Sequence, residues 1–136
     1  MSDITLLESV QRRFTKRMSG MSGLSYLQRL QRIGLETLES RRLKTDLIIM
    51  FKILNNLVGV DFNDFFSLSI VTKTRGHRFK LNKPLCSVNA RSFSFSCRRI
   101  NCWNSLPEQL INSESIALFK SRLDTVNLSK HLILSF

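Results

Sequence analysis

The sequence predicts a mainly α-helical fold: a small helical domain around a central buried helix at about 37–55, with a short antiparallel β-hairpin or ribbon in about 70–95. Three observations carry this expectation. Apolar residues recur at spacings of three and four through the first half of the chain, which puts them on one side of a helix. One of these segments, about 37–55, is apolar around most of its circumference, and such a helix is enclosed by its neighbours. Within about 70–95 the pattern changes to alternation punctuated by glycine and proline, as in short strands. At 136 residues and 43% hydrophobic the chain holds enough apolar surface for one core. Residues 1–136 are therefore expected to form a single domain, with a helical part at 4–57 and a basic ribbon with carboxy-terminal helices at 58–126.

The first helix is expected over 4–21. Leu7, Val10, Phe14, Met18 and Met21 share one stripe, Arg12 and Lys16 point to the opposite side, and Arg13 and Arg17 lie on the flanks. Those four bases are either a solvated outer face or a face that contacts phosphates. After a break at Gly20 and Gly23, Ser25 with Gln28 three residues on makes a capping box for a short helix that Gly34 ends. Thr37 caps the central helix, where Leu43, Leu47, Ile48, Ile49, Met50, Phe51, Ile53 and Leu54 leave only a strip holding Arg41, Thr45 and Lys52 polar. Arg42 and Asp46 stand four apart and are expected to pair along it.

Asp61 caps a turn of helix over 62–66. Alternation at 70–74 and 78–81, with Gly76 between, reads as a hairpin or meander that Lys83 and Pro84 end, because proline has no ladder donor. Phe93 and Phe95 alternate with serines as a further short strand would. Helical spacing resumes at Arg99, Ile100, Trp103 and Leu106 and stops at Pro107. A last helix begins at Ser113 or Ser115 and runs through Ile116, Phe119 and Leu123.

Charge speaks to partners. Lys and Arg number 21 against 10 Asp and Glu, a formal net charge of +11. Residues 67–106 contain no acid but carry Lys73, Arg75, Arg78, Lys80, Lys83, Arg91, Arg98 and Arg99, interleaved with Phe79, Phe93, Phe95 and Trp103. Such a segment repels itself unless solvent or an anionic partner neutralises it, and a phosphate backbone is the expected partner. Anionic membrane surfaces attract the same charge. No apolar run reaches the ~18–20 residues of a membrane span, and neither a membrane nor a small-molecule substrate is expected as partner. Asp3 and Glu8 stand where a secretory signal carries positive charge, and Arg12, Arg13, Lys16 and Arg17 interrupt any apolar core of one, so an intracellular chain is expected.

Cys86, Cys97 and Cys102 are odd in number, which argues against a disulfide framework. With His77 they make four potential zinc ligands, but the intervals are long and no C-x-x-C pair exists. Reduced, mostly buried cysteines are the better reading. No nucleophile, base and orienting group can be assembled from His77, His131 and the cysteines. No catalytic residue, metal or cofactor is assigned.

In order along the chain stand Leu7-Glu8-Ser9-Val10-Gln11-Arg12-Arg13-Phe14-Thr15-Lys16, Leu24-Ser25-Tyr26-x-x-Arg29-Leu30, Leu38-Glu39-x-Arg41-Arg42, Asp46-Leu47 and Phe51-Lys52-Ile53-Leu54. Then come Thr74-Arg75-Gly76-His77, Trp103-Asn104-Ser105-Leu106-Pro107 and Phe119-Lys120. The ordered set, from about residue 4 to 123, resembles the carboxy-terminal region of reverse transcriptases encoded by non-LTR retrotransposons, the Jockey-like LINE elements. The polymerase palm of that family carries paired aspartates for metal-assisted nucleotidyl transfer. Here Asp3, Asp46, Asp61, Asp64 and Asp124 are scattered, and the family's endonuclease cluster is also absent from the sequence. The resemblance thus implies the segment after the thumb of an RNA-directed DNA polymerase, without its catalytic parts, in the nucleus or a cytoplasmic ribonucleoprotein. A fragment translated from a truncated element, without independent function, fits the same resemblance.

As a post-thumb segment, the chain is expected to help hold template RNA or target DNA, with no enzymatic activity of its own. The expected nucleic-acid contacts are Lys73, Arg75, Gly76, His77, Arg78, Lys80, Arg98 and Arg99, with a secondary basic face at Arg12 and Lys16. Glycine in the Arg-Gly-His turn lets the backbone approach a ligand closely. His77 is either part of that contact or a turn residue bonded to backbone. Phe79 or Phe93 would stack on unpaired bases if exposed, whereas Phe93, Phe95 and Trp103 are more readily read as core. The alternative is a docking domain of the polymerase. It would show its bases neutralised by internal or partner acids, together with an exposed apolar patch.

Overall fold

The computed structural model describes residues 2–69, 76–83, 94–134 and 136. The fold is mainly helical, with α1 at Asp3–Lys16, α2 at Tyr26–Ile33, α3 at Leu38–Leu54, α4 at Phe95–Arg98, α5 at Ile100–Ser105, α6 at Glu108–Ile111 and α7 at Ile116–Leu123. Single 3₁₀ turns lie at Phe62–Asp64 and Ser129–His131. The chain forms two compact units, Met1–Leu43 with Leu128–Phe136 and Lys44–Asn127, so the division falls inside α3. No helix among the described residues is long and apolar enough to cross a membrane.

In the first unit the helix ends are specified locally. The Ser2 hydroxyl accepts from the Thr5 amide at the start of α1. Ser25 and Gln28 form the reciprocal capping box of α2, which Gly34 closes in the left-handed conformation at φ 68°. At α3 the Thr37 hydroxyl accepts from the Ser40 amide, while the Glu8 carboxylate, reaching across from α1, accepts from the Leu38 and Glu39 amides at 3.2 Å each. Those amides would otherwise be orphaned donors at the positive end of the helix dipole, where a carboxylate is the preferred partner.

The Tyr26 hydroxyl donates to the same carboxylate and accepts from Gln11. Arg29, also buried, donates to Thr15 Oγ1 and to the carbonyls of Arg12 and Leu24, placing a cation at the carboxy-terminal end of α1. Glu39 accepts from the Ile133 and Leu134 amides and so fastens the tail.

These bonds turn α1 over relative to its apolar stripe. Glu8 and Thr15 are buried, whereas Leu7, Val10 and Phe14 are 55%, 61% and 67% exposed. Burial of the apolar side alone would orient the helix the other way. Here the donors awaiting Glu8 and the acceptors offered to Arg29 decide the orientation, because a buried polar group left unpaired costs about 1–3 kcal/mol. α1 also ends at Lys16, short of 21; Met21 lies beyond it, buried in the turns made by Gly20 and Gly23 at positive φ.

The second unit is organised by aromatic packing. Phe51 of α3 stacks on Phe119 of α7 with ring centroids 4.3 Å apart, and Trp103 of α5 lies 6.4 Å from Phe119. Leu47, Met50, Ile53, Ile100, Leu106, Leu110 and Leu123 are buried in this unit as well. Pro107 follows α5, and Ser115 caps α7 through the Leu118 amide.

Leu81 of the expected ribbon makes one antiparallel bridge with Leu68, which precedes the ribbon, flanked by Ser69 N–H to Lys80 O at 2.8 Å and Asn82 N–H to Ser67 O at 2.9 Å. Residues 78–79 are a turn, and no strand occurs among the described residues. The strand expected at 70–74, with Lys73 and Arg75, and Phe93 of the next one lie outside the described residues. Phe95 starts helix α4 instead of continuing a strand. Helical spacing lets the Phe95 ring meet Phe65 and Phe66 while Arg98, one turn on, reaches Asp46.

Tyr26 is the only tyrosine, and its burial, reinforced by the bond to Glu8, pushes its phenol from the ordinary 10.0 up to about 12. The raised value stabilises the fold fully below pH 10, and this contribution is lost as pH rises through about 12. Absorbance titration of tyrosinate is expected to give a midpoint near 12 in the native protein and near 10 in denaturant; a native midpoint at the ordinary value would remove the buried Glu8–Tyr26 bond.

Candidate nucleic-acid interface

Gly76 adopts φ 107°, a conformation that side-chain-bearing residues rarely enter, and a Cβ there would sit 3.1 Å from Cε of Lys80. The space left by the missing side chain is thus taken by Lys80. Next to it His77 is buried, at 2% exposure. Its Nδ1 accepts from the Phe79 amide at 3.2 Å, which leaves the proton on Nε2, 2.9 Å from the Trp103 carbonyl. Burial, aided by the charge of Lys80, holds the imidazole below its ordinary 6.5 against the opposing pull of the Trp103 carbonyl and Glu108. A neutral ring with both nitrogens engaged is a structural element, and no nitrogen is left for a phosphate or a metal.

The same strip is bound to α5 in two further places. Trp103 Nε1 donates to the Phe79 carbonyl at 3.1 Å, and the Asn104 amide both accepts from Leu81 N–H at 2.7 Å and donates to Leu81 O at 2.9 Å. The Gly76-His77 and Trp103-Asn104 motifs are therefore two halves of one internal joint.

Arg98 and Arg99 are also turned inward. Arg98 makes a bidentate pair with Asp46 at 2.9 and 2.7 Å, and Arg99 Nε reaches the same carboxylate at 2.9 Å. The Asp46 side chain is 5% exposed. Burial alone would raise its carboxyl, but hydrogen bonds from both arginines and their charges outweigh it and hold the group below the ordinary 3.8. This corrects one expectation: Asp46 is held by Arg98 and Arg99 from a distant part of the sequence rather than by Arg42, and those two arginines are engaged with an internal acid. No periodicity within α3 could signal a partner 52 residues away.

Of the remaining predicted residues, Arg78 is exposed with its guanidinium 5.1 Å over the Phe79 ring, Lys80 is half-buried, and Lys73 and Arg75 lie outside the described residues. Arg12 and Lys16 are exposed, Arg12 lying over the rings of Tyr26 and Phe136.

Charge of the two units differs once the buried acids are set aside. In the first unit Arg12, Arg13, Lys16, Arg17, Arg32, Arg41, Arg42 and Lys130 are exposed, against Asp3 and Glu36, because Glu8 and Glu39 are internal. Among the described residues of the second, exposed Arg78, Lys83, Lys120 and Arg122 are matched by Asp61, Asp64, Glu108, Glu114 and Asp124. The stronger cationic surface among the described residues belongs to the first unit. The sequence offers Arg12, Arg13, Lys16 and Arg17 there as a possible phosphate-contacting face, with Arg12 and Lys16 as a secondary basic face, but the burial of Glu8 and Glu39 has no composition signal.

Comparisons with protein-family models, with curated proteins and with solved structures find no match for this chain.

Removing the Asp46 carboxylate strands two guanidiniums that keep some solvent, so Asp46→Ala is expected to destabilise the protein by about 2–3 kcal/mol, less than a fully buried pair. Arg42→Ala, on an exposed side chain, should move stability by about 0.5 kcal/mol or less; urea denaturation separates the two. The depressed His77 value adds stability that is present above 6.5 and lost as pH falls through the native value. An NMR titration should place the His77 midpoint below 6.5 in the native protein, and a midpoint at or above it would contradict the neutral buried ring.

Proposed function

We propose that this chain is a non-catalytic nucleic-acid-binding segment from the carboxy-terminal region of a retrotransposon-encoded RNA-directed DNA polymerase of the non-LTR, Jockey-like LINE class, holding template RNA or target DNA. The family assignment is supported by the ordered motif set between residues 4 and 123. The binding assignment is carried by one observation: the exposed cations of the first unit, eight side chains against two exposed acids. A phosphate backbone neutralises such a surface without base-specific contacts, and the counterions it releases supply affinity. In this reading the ribbon of about 70–95 adds Lys73 and Arg75 to the exposed Arg78 and Lys83, while Arg98, Arg99 and His77 act as scaffold.

The test is an anisotropy titration of the chain with a single-stranded RNA between about 50 and about 200 mM salt, where each neutralised phosphate contributes a log-log slope of about −0.7. Micromolar or tighter binding that weakens steeply with salt is the expected result. Replacing Arg13, Lys16 and Arg17 by glutamine should flatten the slope by roughly 2. Absence of binding at the lower salt removes the proposal.

A further inference from the structure

The outward stripe of α1 is not used by phosphate binding. Leu7, Val10 and Phe14 follow spacings of three and four, the seam of a helix that pairs with another helix. Leu6 widens the seam on one side and is 54% exposed. Together these four side chains present on the order of 400 Å² of apolar surface, the size of the largest patch on a typical monomer, which is often functional. The burial pattern of α1 means that this surface is no by-product of loose packing: the opposite side of the same helix is held by Glu8 and Thr15.

The edges of the seam identify its occupant. One edge is closed, since Gln11 is bonded to Tyr26 and to the Glu36 carbonyl. The open edge carries Arg13, and Arg17 follows the last turn; both are exposed. We propose that the Leu7–Val10–Phe14 seam of α1 packs against an amphipathic helix with acidic flanks on another protein. Acidic flanks meet the cationic edge, and an apolar seam fills the exposed one.

A second copy of this chain is a poorer occupant. It would bring two cationic edges together on molecules of formal charge +11. An anionic lipid surface is poorer too, because Asp3 stands on the seam itself, one heptad step from Val10, and would be driven toward the acyl boundary.

The experiment uses the intact chain and two synthetic amphipathic helical peptides with the same leucine seam, one flanked by glutamates and one by lysines. The glutamate-flanked peptide is expected to bind, and the lysine-flanked one to bind at least about tenfold more weakly, a difference of ~1.4 kcal/mol. The neutral double variant Val10→Ser with Phe14→Ser should weaken the glutamate-flanked complex by about tenfold or more, as loss of two apolar anchors does. Its thermal unfolding and its RNA affinity should stay at the wild-type values, since both side chains face solvent. Equal binding of the two peptides, no binding of either, or an unaffected double variant overturns the proposal. So does a sedimentation dimer that the double variant dissolves, or binding to phosphatidylserine vesicles in place of the peptide.

Discussion

One buried carboxylate sets the geometry of the first unit. Glu8 leaves water only because three donors wait for it: the first two amides of α3 and the phenol of Tyr26. An ionised carboxylate buried without such partners would be prohibitive. Once it is satisfied, α1 has no rotational freedom left, and the side of the helix that faces the fold is the side that carries Glu8. The apolar stripe is then left outside as a consequence of polar bonding, and the surface available to a partner follows from that orientation.

The same logic operates twice more, and together the three cases shape the electrostatics. Glu39 is consumed by two amides of the tail, and Asp46 by Arg98 and Arg99. Each internal acid removes a negative charge from the surface. For Asp46 the accompanying cations are withdrawn too, so the second unit gains no surplus. For Glu8 and Glu39 most partners are backbone amides, which carry no net charge, so the first unit is left with more exposed cation than its composition suggests. A formal net charge describes the chain, while the pairing of the acids decides where the charge can be felt.

Much of the helical framework was legible because it is specified by residues close in sequence. Ser25 with Gln28, Gly34, Asp61, Pro107 and Ser115 each act within four positions, and α3 announces most of its enclosure through its own apolar circumference, although Ile49 is left exposed. What was not legible depends on partners far apart in the chain. Asp46 has Arg42 at the right helical distance, yet two arginines more than fifty residues away outcompete it. The stripe of α1 looks like a core face until the donors for Glu8, 30 residues on, are known. Phe95 alternates like a strand residue, but the helix that places it on Phe65 and Phe66 also brings Arg98 to Asp46. In the candidate site, this separated the residues that were rich in motif character from those that remain open to a ligand.

That separation bears on what the motifs mean. His77, Trp103 and Asn104 belong to the motifs that carry the proposed resemblance, and all three are engaged in the joint between the Gly76 turn and α5. Their chemistry is that of backbone groups satisfied in a largely buried joint, where a lost partner leaves an unpaired donor or acceptor and few substitutes fit. Exposed lysines and arginines are held by no such requirement, since any cation near the same place meets a phosphate. A family resemblance written in joint residues therefore speaks first to the fold. The proposed binding role is to be sought among the side chains that those joints leave exposed, which in the first unit include Arg13, Lys16 and Arg17.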